Sequence, residues 1–315
     1  MDHQDKNTVG NWTSRSIGKA WQHRFFYVLI RYAGLRVACF CMYFVVLWYI
    51  LFYPPVHAKC RPYLSRRFPG RHRLLRRFIH EYRWITSLGK TLIDRAAFGI
   101  LGPDRFQIEV AQSTTLQQLV DQGKGLILLN AHTGCWQIAF SALQFKRARV
   151  HIVMHRNPND IDKHYFEHNS SEPPFEIIDP QGYLGGVLQM AAILQAGDVL
   201  GLMGDRIFGD PQNAITLDFL GHPASMPAAP YRLAAMRGSP IAILFSHRTG
   251  HCRYRIQMPA VINVPAALER DPQAWLPYAK EFVRHLTEFT KNHPFELYNF
   301  FNMWDVAPQT AAENS

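Results

Sequence analysis

The chain has 315 residues, 48% apolar and 18% charged, so it is too apolar to stay disordered and long enough to bury a large core. Its net charge of +10 is uneven: residues 1–100 hold 17 of the 34 Lys and Arg but only four of the 24 Asp and Glu. Five cysteines, odd in number and without CxxC spacing, point away from a disulfide framework or zinc site and suit a reducing compartment.

The most apolar stretch is VACFCMYFVVLWYILFYPPV, Val37 to Val56, with no charged residue in it. Its length is borderline for one helical crossing, which needs roughly 20 apolar residues. Basic residues flank it on both sides, from Arg15 to Arg36 and from Lys59 to Arg77. Two basic flanks suit a segment that enters and leaves on the cytoplasmic side, where anionic lipid attracts each Lys or Arg by about 1 kcal/mol. A monotopic anchor is therefore favoured, with a true span as the alternative. A cleavable signal peptide fits poorly, because Pro54-Pro55 stands where small residues are needed. Because the charge adjoins an aromatic run, the expected partner is an anionic membrane surface and not nucleic acid.

From about Asp104 short β-branched runs alternate with helical periods. The expected strands are RFQIEV (105–110), GLILLN (125–130), RVHIVMH (149–155), FEIIDP (175–180), DVLGLMG (198–204), PIAILFSH (240–247) and RYRIQM (253–258). Helices are expected at 114–123, 133–145, 160–169, 183–197, 228–238 and 275–293. The alternation implies an α/β fold with a mixed, mostly parallel central sheet flanked by helices. Residues 1–100 form the expected membrane-anchoring helical region, and residues 101–315 the α/β domain.

In open α/β sheets ligands collect beyond the carboxyl ends of the strands. His132, in NAHTGCWQ, stands two residues past GLILLN, where Thr133 and Gly134 form a tight helix entrance whose amides suit an anion. Five residues do not share a helix face, so His132 precedes the helix and Gln137 lies within it, able to reach back to the imidazole. Cys135 opens the same helix, and a Cys135-dependent thioesterase or transferase is a second reading. His57, His72, His80 and His251 show no partner pattern and are expected to be solvated.

The order of TLIDRAAFG, HTGCWQ, LGLMGDRIFG, GHPASMPAAPYRLAAMRGSPIAILF and YNFFNMW, behind a basic aromatic N-terminal segment, resembles the bacterial lipid A late acyltransferases of the lysophospholipid acyltransferase superfamily. The resemblance runs from about residue 15 to 305. It implies a glycerolipid acyltransferase-like fold, a bacterial inner-membrane location with the catalytic domain on the cytoplasmic face, and no cofactor. It further implies acyl transfer from an acyl-carrier protein or coenzyme A thioester to a lipid or glycolipid hydroxyl, with His132 as the base. The family carries Asp or Glu where this chain has Gln137, and an amide can hold the imidazole tautomer but brings no charge. Asp205 is the candidate substitute, since GLMGDR ends a neighbouring strand on the same rim; the alternative is a loop-capping aspartate. Arg206 resembles the family's arginine that grips phosphate or thioester, Arg156 is a further phosphate candidate or a plain surface arginine, and Asn130 orients the loop or merely ends the strand. Loss of the charge at Gln137 leaves open a catalytically impaired lipid-binding homologue.

Overall fold

Two uncharged runs, LILLN and VLGLM, pair at the centre of the protein, in a computed structural model that describes residues 20–70, 74–154, 175–180, 186–207, 214–266, 268, 272–300 and 302–305. The first is β2 (Leu126–Asn130), the second β5 (Val199–Met203), and they run parallel with Leu126 opposite Val199 and Asn130 opposite Met203. Burial on both faces explains why neither run alternates. On the far side of β5 follow β3 (Val150–Val153) and β4 (Glu176–Ile178), both parallel. Beyond β2 come β8 (Ile241–Ile243), parallel, and β11 (Val261–Ile262), antiparallel. The six-stranded order is β11-β8-β2-β5-β3-β4.

A second sheet joins β1 (Gln107–Val110), β10 (Arg253–Gln257) and β9 (Phe245–Gly250), with β1 parallel and β9 antiparallel to β10. A hairpin of β6 (Ala214–Phe219) and β7 (His222–Pro227) forms a third. The strand system as a whole is thus mixed, and the fold is α/β. The sequence PIAILFSH was expected to be one strand; it is two, β8 and β9, which lie in different sheets. The Leu244 amide donates to the Leu129 carbonyl at 2.9 Å, the last tie to β2 before the chain crosses over.

The helices are α1 (Ala20–Val28), α2 (Leu35–Phe52), α3 (Pro55–Arg67), α4 (Leu74–Leu101), α5 (Ser113–Asp121), α6 (Trp136–Ser141), α7 (Val187–Gln195), α8 (Ala229–Arg237) and α9 (Pro272–Asn292). Helix α2 ends at Phe52, just before Pro54-Pro55, and Pro55 opens α3 in the position where its missing amide costs nothing. Helix α2 is long and apolar enough to cross a membrane, and only 28% of it is buried. Its buried side is Leu35, Ala38, Val46 and Ile50; Phe40, Phe44, Trp48, Leu51 and Phe52 face outward. Val46, Ile50, Tyr63 and Trp84 nonetheless pack into the same core as Ile127, Leu129 and Leu202, so α2 to α4 are fastened to the sheet.

His57 corrects its expectation. Its Nδ1 lies 2.6 Å from Glu81 Oε2 and its Nε2 2.9 Å from the Ile50 carbonyl, so it ties α3 to α4 and to the end of α2. His80 stacks on Phe68 at 4.0 Å, and His251 is exposed as expected. The expected helix at 160–169 and His72 lie outside the described residues.

Candidate active site

The β2/β5 register decides which residues meet. Because Asn130 and Met203 are opposite one another, the next two positions of each strand leave the sheet on the same rim, and these are Ala131-His132 and Gly204-Asp205. The Gly204 amide donates to the Asn130 carbonyl at 2.7 Å and keeps the two chains together for one residue more. A side chain at Gly204 would bring its Cβ within 2.6 Å of the Phe282 ring of α9, so the close approach requires glycine.

Beyond that point His132 Nδ1 sits 2.9 Å from Asp205 Oδ1 and 3.0 Å from Oδ2, and the His132 backbone amide donates to Oδ2 at 3.0 Å. The aspartate is wholly buried, while the imidazole keeps 19% of its side chain exposed. Burial, the largest single influence on the Asp205 carboxyl, pushes its pKa up. The His132 charge, both kinds of His132 hydrogen bond and Arg206 together outweigh burial and hold the carboxyl below its ordinary value. With Nδ1–H donated to a carboxylate, Nε2 is the nitrogen left to take a proton.

The C-terminal stretch behind α9 completes the rim. The Tyr298 amide donates to the His132 carbonyl at 2.7 Å, and Asn299 Nδ2 donates to the Asp205 carbonyl at 2.8 Å. Leu297 bridges Thr133, and the Gly134 amide donates to the Glu296 carbonyl at 2.9 Å. Four consecutive residues, 296 to 299, therefore grip both loops that carry the histidine and the aspartate. Their role was not foreseen, and since three of the four ties are main-chain bonds, side-chain identity gave no signal for them.

The expected helix at 133–145 opens three residues late, at Trp136, because Thr133 and Gly134 are drawn into this strip. Gly134 has φ +51°, and a Cβ there would lie 2.5 Å from the Ser246 carbonyl oxygen. Its amide, and that of Thr133, which donates to the Ala131 carbonyl at 2.6 Å, are committed within the protein. Asn130 accepts the Ala131 amide on its side-chain oxygen at 2.7 Å and shapes the turn. Gln137 is in the first turn of α6, 2% exposed, with its Oε1 3.8 Å from Cys135 Sγ. The Cys135 thiol is fully buried, closed to a bulky thioester. Arg206 is buried beside Asp205. Arg156 lies outside the described residues.

The model of the family described as bacterial lipid A biosynthesis acyltransferase matches residues 11–297. The chain belongs to that family. No curated protein matches it. As a lipid A-type acyltransferase the protein carries out acyl transfer in lipid biosynthesis, and its histidine faces a carboxylate supplied from another strand.

Proposed function

We propose that the protein moves a fatty acyl chain from a thioester carrier, acyl-carrier protein or coenzyme A, to a hydroxyl of a membrane lipid or glycolipid. His132 Nε2 takes the hydroxyl proton as the oxygen attacks the thioester carbonyl carbon. Asp205 fixes the tautomer and stabilises the imidazolium that forms. Collapse of the tetrahedral adduct breaks the C–S bond, and the imidazolium returns its proton to the departing thiolate, leaving an ester, a thiol and a neutral histidine. The observation that carries this reading is the two-point hydrogen bonding of His132, by ring and by backbone, to one buried carboxylate. In this reading Gln137 packs the helix start, and the charge its position lacks is supplied by Asp205.

The exposed aromatic face of α2 lies in the lipid head-group region, and the surrounding Lys and Arg add attraction to anionic lipid. In this reading the catalytic domain works at the cytoplasmic face of the inner membrane, where an acidic acyl-carrier protein is steered by the same basic charge. The test is to incubate membranes carrying the protein with labelled acyl-carrier protein and, separately, labelled acyl-coenzyme A, and to identify the lipid that gains label. Transfer to lipid from either donor is expected. Label released only as free acid would overturn the reading in favour of a thioesterase.

A further inference from the structure

The strip that grips the His132 and Asp205 loops has a second edge, and α4 holds it. Residues 296–298 run antiparallel to 132–134 through the Thr133–Leu297 bridge. In an extended chain the backbone groups of successive residues point to opposite sides. The Glu296 carbonyl and the Tyr298 amide point toward the loop, where they meet Gly134 and His132 at 2.9 and 2.7 Å. The Leu297 carbonyl points the other way and accepts the indole N–H of Trp84 at 2.7 Å.

Helix α4 backs the strip along one of its faces. Trp84, Ser87 and Thr91 follow the spacing i, i+3, i+7, which aligns them on one side of a helix. Ser87 Oγ lies 2.9 Å from Tyr298 Oη and donates to Glu296 Oε1 at 3.3 Å, and Thr91 Oγ1 lies 3.2 Å from the same Tyr298 oxygen. Trp84 is fully buried, its ring centroid 4.7 Å from that of Phe300 and 5.6 Å from that of Tyr63. The indole is thus fixed by packing on both sides, and its N–H is aimed at Leu297. Side chains from the first hundred residues therefore end on the strip, and the strip carries the constraint on to His132.

A buried carbonyl that loses its donor must find another partner or stay unsatisfied. Without the indole N–H, the Leu297 peptide regains a partner only by turning, and that turn carries the Glu296 carbonyl and the Tyr298 amide off the loop. The His132 backbone amide is one of the points by which the loop meets Asp205, so a shifted loop misaligns the pair. Small misplacements of this kind are costly to catalysis even when they begin far from the reacting atoms. We infer that Trp84 is a positioning residue for His132, acting through its N–H to the Leu297 carbonyl, with Ser87 in support. The inference rests on the proposed role of His132 as base only for its effect on the rate.

The test pairs amide hydrogen exchange with kinetics on the full chain in neutral detergent, so the two readings fail separately. Trp84→Phe keeps an aromatic ring in the core and removes the N–H; if it does not fold, Ser87→Ala decides by the same readouts. Tyr63→Phe is the control, since it removes a hydrogen bond of a comparably buried side chain, from Tyr63 Oη to the Pro294 carbonyl at 2.8 Å, just short of the strip. Exchange at the Gly134 and Tyr298 amides is expected to quicken about tenfold in Trp84→Phe and about threefold in Ser87→Ala, and to match the wild type in Tyr63→Phe. Trp84→Phe should lose about tenfold in kcat with KM unchanged, and combined with Asp205→Asn it should cost little beyond Asp205→Asn alone. Wild-type exchange at both amides in Trp84→Phe, or equal quickening in Tyr63→Phe, would overturn the positioning role whatever the rates do. Quicker exchange with unchanged kcat, or losses that multiply in the double variant, would overturn its bearing on His132. A His132→Ala protein as active as the wild type would overturn the proposed base instead, and exchange alone would then decide whether Trp84 holds the loop.

Discussion

Strand β5 begins next to one aspartate and ends next to another, and each faces a histidine. At its amino end Asp198 Oδ2 lies 3.4 Å from His151 Nε2, and Glu176 lies 3.2 Å from His151 Nδ1. At its carboxyl end Asp205 meets His132 at 2.9 Å. The chemistry of the pairs is alike, yet the surroundings differ. Both nitrogens of His151 face carboxylates and its side chain is 5% exposed, so neither is offered to a substrate. His132 gives one nitrogen to Asp205 and keeps 19% exposure. The comparison teaches that a histidine–carboxylate contact can serve as a base only where one ring nitrogen remains accessible, and of these two pairs only the one on the carboxyl rim meets that condition.

The largest effect should separate the two histidines. His132→Ala is expected to lower acyl transfer by at least about 10⁴-fold, and to lower the thermal midpoint as well, because it leaves the buried Asp205 carboxylate without its ring partner. His151→Ala should lower the midpoint but spare the rate, as measured by initial rates and calorimetry. Equal rate losses in both variants would erase the distinction.

The aspartates come next. Asp205→Asn is expected to cost up to about 10⁴-fold in kcat, since an amide brings no charge and can select the wrong tautomer, whereas Asp198→Asn should stay near the wild-type rate. The pKa of Asp205 is held below its ordinary value, so the charged form stabilises the fold. That stabilisation is complete above the unfolded value of 3.8 and is lost as pH falls through the lower folded value. Denaturant titrations should accordingly show wild type more stable than Asp205→Asn at pH 7, with the gap closing below 3.8.

Smaller effects test how the charge is supplied. Gln137→Glu would restore a carboxylate to α6, but with Asp205 already in place it should change the rate by about tenfold or less, and downward at neutral pH. A second carboxylate near the imidazole favours the protonated form, which cannot act as a base. A large gain in rate would mean that Asp205 is not the charge partner. The smallest change is expected from Asn299→Ala, which removes the tie to the Asp205 carbonyl. A net hydrogen bond is worth about 1 kcal/mol, or roughly fivefold in rate, and the loss should appear in kcat more than in KM.

What the sequence disclosed follows the same division. LILLN and VLGLM were legible because uncharged runs bounded by Gly and Asp have few other places to go, and once they are parallel neighbours His132 and Asp205 must share a rim. The break inside PIAILFSH was not legible, since nothing marks Leu244 as the crossing from one sheet to another. The β6/β7 hairpin was missed although AITLDF alternates and Leu220-Gly221, both with positive φ, form its turn; the two prolines of HPASMP argue against a strand. Tyr298 and Asn299 reach back 166 and 94 residues through bonds that end on backbone carbonyls. No spacing rule detects such contacts.

Those long reaches also set a timetable. His132, Asp205 and the 296–299 strip are far apart in sequence, so the pair cannot be held in place until the sheet has closed and the chain beyond α9 has docked across its rim. Contacts of such separation form late, after the loop-closure entropy has been met by local helices and neighbouring strands. Catalytic competence is then a report on completed folding. In a refolding experiment, far-ultraviolet circular dichroism should recover first and acyl transfer last, and a chain whose strip is undocked should be helical, largely compact and silent.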